Sequence, residues 1–424
     1  MKITQKNMEV LLIGPYPPPF GGISSLFINL MPGLKKLGAS NVHVLFFTNT
    51  NQKEEVNDSI INRIHLERQF FQLILPWNIA DVIRLIQIYK DYNLSLKRLI
   101  KTILRVITIK KISRYHGSNL ISFYHSDNSL ELIGCRYILD QTVGISLQVF
   151  GEIFDEAKNN FIRANSKLFN DIINIPDIVT SPSQHCGKSF KRINIPREIE
   201  VIYSGVDFSR FGNLESKRLE LRKSFEYQDE EVVFLFLGRF HIDMGLDKFM
   251  ESIPKVLDKG IPAKFILAGA SGPLDKLANG FGWRNKENVK IMKEVPFEDL
   301  PGLYAVADVV CAPSYGERAC MGLSIKEAMA SKKAVIGSSS GGIAEAIING
   351  ETGIIVSHKD DGKIDVNGLA EAMIQLSEDS DLRMKMGKLG FERGKKLFRD
   401  QQTVDKTFDV FERCIDMRLA KSKN

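Results

Sequence analysis

Short apolar runs alternate with amphipathic stretches along nearly the whole chain, the pattern of β-strands separated by helices. In the first half the runs are "EVLLIG", "VHVLFF", "LISFYH", "ISLQVF" and "DIVTSPS". In the second half they are "EVVFLFLG", "AKFILAG", "VKIMKEV", "DVVCAPS", "KAVIGSS" and "TGIIVS". Helices are predicted between them, among them 24–37, 246–257 and 324–331. Continuous apolar strands spaced by helices imply parallel sheets covered on both faces. The fold class is therefore α/β, with each half forming its own doubly wound, Rossmann-like sheet. The boundary falls at the turn-rich "YSGVDFSRFGN", giving domains 1–206 and 207–400.

Residues 51–118 break this rhythm. Between Lys97 and Tyr115 stand Lys97, Arg98, Lys101, Arg105, Lys110, Lys111 and Arg114, and no acid occurs between Asp91 and Asp127. On a helical wheel Lys97, Arg98, Lys101 and Arg105 share one face, and Leu99, Ile100, Ile103, Leu104 and Ile107 the other. Two readings stand side by side. The segment is a packed helix with a solvated basic face, or a basic amphipathic helix resting on an anionic membrane surface through 97–115.

Composition narrows the class without naming a function. A chain of 424 residues with 44% apolar and 25% charged residues suits two soluble domains. Its net charge of +6 is mild, and no nucleic-acid partner is expected from it. Five cysteines are scattered without a CxxC pair, which reads as reduced thiols in a cytoplasmic protein. The first apolar run is broken by prolines, so it reads as strand and loop rather than a secretory signal. No apolar stretch reaches the ~18 residues of a membrane span, so any membrane contact is peripheral.

Four stretches carry candidate chemistry. In "PPPFGGISSLFINL", Gly21 and Gly22 let backbone approach a ligand at a helix N-terminus, or they simply make a tight turn. In "FLFLGRFHIDMGLDKF", Arg239 leaves a strand end, where a guanidinium binds a diphosphate or makes a surface ion pair. In "GLSIKEAMA", Ser324 and Glu327 have the S-x-x-E spacing of a capping box, while Gly322 and Leu323 offer N–H groups to a phosphate. In "SSSGGIAEAI", Gly341 and Gly342 open another helix. The "DSD" at 379–381 begins a polar helix and reads as an N-cap. Seven histidines show no ligand spacing, so no metal site is expected.

Taken in order and spacing, "PPPFGG", "YSGVDFSRF", "LGRFHIDMG", "APSYGERACMGLSIKEAMA" and "SSSGGIAEAI" resemble family 4 of the retaining group 1 glycosyltransferases. The resemblance implies the GT-B fold, two Rossmann-like domains facing across a cleft, with a C-terminal helix at about 401–419 packing back on the N-terminal domain. It implies a nucleotide-sugar donor, UDP by family habit and GDP as the other option, and a glycan or lipid-linked acceptor. It implies no cofactor and no metal. Arg239 matches the diphosphate-binding arginine, Glu327 the second carboxylate of E-x7-E that holds the ribose, and Gly22 the glycine near the donor phosphates. Three positions depart from the pattern. The lysine five residues after the arginine is Met244, leaving Lys248 or Arg318 to supply a second cation. The first carboxylate would fall at Ala319, and Glu317, two residues earlier, is expected to replace it through a bulged loop. A histidine expected after the "ISLQV" strand is Phe150, with Glu152 the nearest ionisable group, and His125 matches a second histidine position. These changes leave two alternatives open: a non-catalytic relative that binds partners, or a nucleotide-sugar epimerase on the same fold.

Overall fold

The computed structural model describes residues 8–14, 22–47, 52–56, 59–64, 79–92, 94–124, 129–150, 166–192, 197–212, 214–316, 319–359 and 362–423. The chain divides into two compact units. The first comprises Met1–Pro182, Cys186–Ile202 and Thr403–Asn424, and the second Ser183–His185 with Tyr203–Gln402.

The first unit is built on an eight-stranded sheet of β1 (Met8–Ile13), β2 (Ala39–Phe47), β3 (Gln52–Val56), β4 (Ser59–Ile64), β5 (Leu120–Tyr124), β6 (Gly144–Gln148), β7 (Ile178–Ser181) and β8 (Glu200–Val201). The spatial order is β3-β4-β2-β1-β5-β6-β7-β8. Only β3 and β4 pair antiparallel. Strand order reverses beside β1, which lies between β2 and β5. β1 sends Leu11 and Ile13 into one core and Val10 and Leu12 into the other, so both sheet faces are covered. One core is shared with the helices Ile79–Tyr89, Leu96–His116 and Ser129–Ile138. The other is shared with the helix Gly22–Leu37 and with Val404, Phe408 and Phe411 of the C-terminal helix Asp400–Lys421. That helix crosses close to Gly33, where an added Cβ would stand 2.6 Å from the Val404 Cγ2.

The stretch that broke the rhythm resolves into two features. Residues 52–56 and 59–64 form the antiparallel β3–β4 pair, which the sequence pattern did not announce. Residues 97–115 fall within the helix Leu96–His116, and the apolar face read as a possible lipid contact is largely inside. Ile103, Leu104 and Ile107 are buried, Leu99 packs against the core, and Ile100 alone of the five is exposed. Arg105 pairs with Glu131 at 3.0 Å, and Lys110 pairs with Asp81.

The second unit holds a six-stranded, all-parallel sheet of β9 (Val232–Leu237), β10 (Ala263–Gly269), β11 (Val289–Lys293), β12 (Val309–Ala312), β13 (Ala334–Ser338) and β14 (Ile354–Val356). The order is β11-β10-β9-β12-β13-β14. Phe234 and Phe236 of β9 face a core with Phe249, Ile253, Leu369 and Met373. Val233 and Leu235 face the other, with Leu303, Tyr304, Ile325 and Met329. Every apolar run named from the sequence is a strand of one sheet or the other.

Candidate active site

In an open parallel sheet, ligands gather beyond the C-terminal strand ends where strand order reverses. In the second unit that point lies between β9 and β12. β9 runs out at Leu237, and Arg239 follows it with an exposed side chain. Among the described residues its guanidinium has no hydrogen-bond or ion-pair partner, so it is available to an anion. The turn beneath it is well fixed. His241 accepts a hydrogen bond from the Asp243 N–H through Nδ1 at 3.2 Å, and Ile242–Met244 make one 3-10 turn. Gly245 ends it at φ 73°, where a Cβ would lie 2.0 Å from the Pro313 carbonyl oxygen. No other residue fits there, and the contact ties the loop after β9 to the loop after β12.

The position of the absent lysine is used for packing. Met244 is partly buried against the core, and its Cε would lie 2.8 Å from a Cβ at Gly238. Lys248 is not a spare cation for a phosphate, because its ammonium bonds Glu251 at 2.5 Å and lies 3.9 Å from Asp247. Arg318 and Glu317 lie outside the described residues, as do Gly21, His125 and Glu152. Gly22 is the first residue of the helix that follows β1, at the first unit's own reversal of strand order. Phe150 packs against a core cluster of that unit.

Ala319, the position where the family spacing would put a carboxylate, is occupied with packing as well. Its carbonyl accepts from the Gly342 N–H at 2.8 Å and its side chain packs on the core. This explains the second glycine pair. A Cβ on Gly342 would stand 1.4 Å from the Cys320 carbonyl oxygen, and one on Gly341 would stand 2.1 Å from that of Ala319. The glycines admit the 319–320 backbone, and the helix they open, Ile343–Ala346, is a single turn. Ser338 donates to the Ser314 carbonyl, joining the ends of β12 and β13. His358 bridges the hydroxyls of Ser339 and Ser340 at 2.7 and 2.9 Å. Burial holds its pKa below the ordinary imidazole value, so the ring is neutral, one nitrogen donating and the other accepting.

The helix Leu323–Ala330 follows β12. Its N-cap is Gly322 at φ 62°, no side chain caps it, and its first turn holds no acid. The Gly322–Leu323 end therefore presents uncapped N–H groups and a positive dipole end. The expected capping box does not form. Ser324 is already the second helical residue, two positions past the N-cap, and Glu327 points inward with 7% exposure. Glu327 Oε2 accepts from the Tyr304 hydroxyl at 2.5 Å. Among the described residues no donor reaches Oε1. Burial raises the Glu327 pKa, and the Tyr304 hydrogen bond and the charges of Arg210 and Lys326 oppose that rise. Tyr304 is fully buried, and burial together with Glu327 pushes its own pKa far up, so it stays a neutral donor. The Arg210 guanidinium lies 3.5 Å from the Phe297 ring centroid and donates to the Phe297 carbonyl. Lys326 is buried beside Glu327, donates to the Ser204 carbonyl at 2.6 Å, and is pushed down to about 8 by burial. Asp379 Oδ1 accepts from the Leu382 N–H at 2.8 Å, so the "DSD" is an N-cap. Among the described residues no cluster of three His, Cys, Asp or Glu could hold a metal.

Tyr304, Arg210, Lys326 and His358 were not singled out in the sequence. Tyr304 sits in an apolar run and looks like any core aromatic, and its partner is on another helix.

Residues 231–379 match the family described as glycosyl transferases group 1. An uncharacterized glycosyltransferase of Methanocaldococcus jannaschii is 34% identical over 177 residues, 40% of this chain and 44% of that one. The chain spans about half the length of such curated relatives. Over the whole chain the similarity is one of shape. A sucrose-phosphate synthase from Thermosynechococcus elongatus superposes with a TM-score of 0.75 at 18% identity, covering 97% of this chain and all of that one. The fold is GT-B. The Anabaena protein HepE, solved in complex with UDP and glucose, shares this GT-B fold at a TM-score of 0.69 and 16% identity, over 95% of this chain and 99% of its own. The match to group 1 glycosyl transferases covers β9 through the helix Val366–Glu378, the part of the GT-B frame that holds Arg239, Tyr304 and Glu327.

Proposed function

We propose that this protein is a retaining glycosyltransferase that moves a hexose from a nucleoside diphosphate sugar to a hydroxyl of a glycan or lipid-linked acceptor. The observation that carries the reading is Glu327, a buried acid with one oxygen fastened to Tyr304 and the other without a donor among the described residues, inside the segment matching group 1 glycosyl transferases. A carboxylate so placed accepts from the two hydroxyls of a ribose. Arg239 neutralises the diphosphate, together with the N–H groups at Gly322 and Leu323. Gly21 and Gly22 give the phosphates close backbone approach. UDP is the favoured base, supported by the UDP in the structurally similar HepE.

In the proposed reaction the bond from the anomeric carbon to the diphosphate oxygen breaks, and the acceptor oxygen bonds that carbon on the same face. The acceptor proton passes to the departing phosphate oxygen. Glu317 orients hydroxyls of the transferred sugar, with His125 and Glu152 as further sugar or acceptor contacts. Catalysis in this scheme needs no cofactor. The products belong to cell-surface polysaccharide or glycolipid synthesis, made at the cytoplasmic side.

The test is a panel of UDP, GDP and ADP sugars without acceptor, with release of free sugar and nucleotide followed for each. One sugar turned over slowly, with its nucleotide bound, is the expected result. Failure of every nucleotide to bind overturns the reading and leaves the partner-binding alternative. Glu317→Gln is expected to lower turnover at unchanged thermal stability, and normal turnover would remove Glu317 from the site.

A further inference from the structure

The chain's whole surplus of positive charge sits in one helical hairpin of the first unit. From Ile79 to His116 there are nine lysines and arginines against two acids, a surplus of seven, whereas the entire chain has +6. The remaining residues therefore supply no net positive charge at all. Part of the hairpin's charge is used internally: Lys110 pairs with Asp81, and Arg105 with Glu131. Arg84, Lys97, Lys101 and Lys111 are exposed and have no ion-pair partner among the described residues.

The same hairpin exposes an apolar stripe. Ile79, Ile83 and Ile86 are 72%, 51% and 45% exposed, at the i, i+4, i+7 spacing of one helix face. Leu85 and Tyr89, on another face of the same helix, are buried in the core. Leu96 and Ile100, at the start of the second helix, are 71% and 39% exposed. The Lys110–Asp81 contact sets the end of the second helix against the start of the first, so the two run antiparallel. Ile86, Leu96 and Ile100 consequently lie toward the same end, where residues 90–95 join the helices.

We propose that this hairpin docks the protein onto the surface of an anionic lipid bilayer. The isoleucine stripe enters the boundary between headgroups and acyl chains, and the unpaired cations meet the headgroup phosphates. Charge complementarity selects this occupant. A second copy would bring the same cations against themselves, and a nucleic acid would use the cations while leaving the isoleucines in water. Docking is peripheral, since no helix among the described residues is long and apolar enough to cross a membrane. The inference stands on the hairpin alone and does not rest on the transferase reading.

The test is co-sedimentation of the full chain with vesicles of phosphatidylcholine alone or with a third of phosphatidylglycerol. Binding to the anionic vesicles alone, released when salt is raised to ~1 M and the screening length falls to ~3 Å, is expected. Lys97→Ala with Lys101→Ala should weaken it ~30-fold, from about fivefold for each cation near an anionic surface. Ile83→Ser with Ile86→Ser should weaken it at least ~10-fold by withdrawing two inserted side chains. Both pairs are surface changes, checked for folding by unchanged thermal unfolding and an unchanged far-ultraviolet circular dichroism spectrum. No vesicle binding, or equal binding to neutral vesicles, overturns the proposal. So does lipid binding insensitive to the isoleucines, or a dimer that Ile83→Ser and Ile86→Ser dissolve.

Discussion

Glu131 in the first unit and Glu327 in the second are both buried acids on helices, 2% and 7% exposed, and burial raises the pKa of each. Their partners differ. Glu131 meets the Arg105 guanidinium at 3.0 Å, and its other oxygen is sealed without a partner. Glu327 meets a neutral phenol, Tyr304, at 2.5 Å, while Arg210 nearby is engaged with Phe297. A guanidinium consumes the charge it pairs with. A phenol fixes one oxygen and leaves the carboxylate its charge for an incoming hydroxyl. The first arrangement holds a hairpin on its sheet, and the second leaves a carboxylate oxygen with no donor among the described residues, which the proposed function gives to a ligand.

The sharpest way to break the comparison is to remove the cation from the structural acid. Arg105→Ala leaves Glu131 buried and unpaired, at an expected loss of about 3–5 kcal/mol in denaturant unfolding. Nucleotide affinity should not change. The sign with pH is set by Glu131, whose native pKa lies above its unfolded value and rises further without Arg105. The native state of each protein then binds more protons than the unfolded chain, the variant's up to a higher pH, so the loss grows as pH rises from the wild-type Glu131 value to the variant's higher one. A loss that shrinks with rising pH would show that Arg105 is not what compensates Glu131.

Lys326 sharpens the contrast from the other side, because the second unit buries a cation next to Glu327 and turns it toward the Ser204 carbonyl. Its pKa of about 8 lies below the ordinary 10.5. Between those values the unfolded chain binds more protons than the native one, so native stability rises with pH across that window. Relative to Lys326→Met, the wild type should gain up to ~3 kcal/mol there, at 1.36 kcal/mol per pKa unit. Parallel stability curves for the two proteins between those pH values would show that the buried lysine keeps its ordinary pKa and stays charged in the native state across that window.

Arg239 tests whether the free charge of the second unit serves a ligand. Arg239→Ala should weaken nucleoside diphosphate binding by about 1.5–3 kcal/mol, the scale of a charged hydrogen bond, and hardly change nucleoside binding. Calorimetry with both ligands separates the cases, and equal losses for the two would make the residue structural.

How much of this was legible follows the physics of each part. The eleven apolar runs became strands because a strand covered on both faces must be apolar throughout. β3, "QKEEV", gave no such signal, since an edge hairpin pairs through its backbone and needs no apolar side chain. Arg239 and the glycine pairs were visible as residue types at loop positions. The reason for Gly341 and Gly342 was not, because it is the carbonyls of Ala319 and Cys320 packed against them. The Ser324–Glu327 spacing suggested a cap, but the left-handed Gly322 starts the helix early and turns Glu327 inward. Tyr304 and Glu327 lie on different helices, and no local period links them.

Tyr304→Phe is the mildest change and tests the comparison most directly, because it removes one hydroxyl and no charge. If the phenol only fills space, the variant should bind nucleotide like the wild type at every pH. If it fixes and helps ionise Glu327, affinity should fall by about 0.5–1.5 kcal/mol, the net worth of one hydrogen bond. The pH profile carries the stronger signature. Binding through Glu327 needs the carboxylate, so affinity declines as pH falls through its raised pKa. The Tyr304 hydrogen bond opposes that rise, so without it the decline should begin at a higher pH. Glu327→Gln supplies the control, since an amide cannot titrate and should give weak binding with no inflection at all. A Tyr304→Phe profile superimposable on the wild type, beside a flat Glu327→Gln profile, would keep Glu327 at the ligand and remove Tyr304 from its support. Were the Glu327→Gln profile unchanged as well, the buried acid of the second unit would be structural like Glu131, and the distinction between the two would disappear.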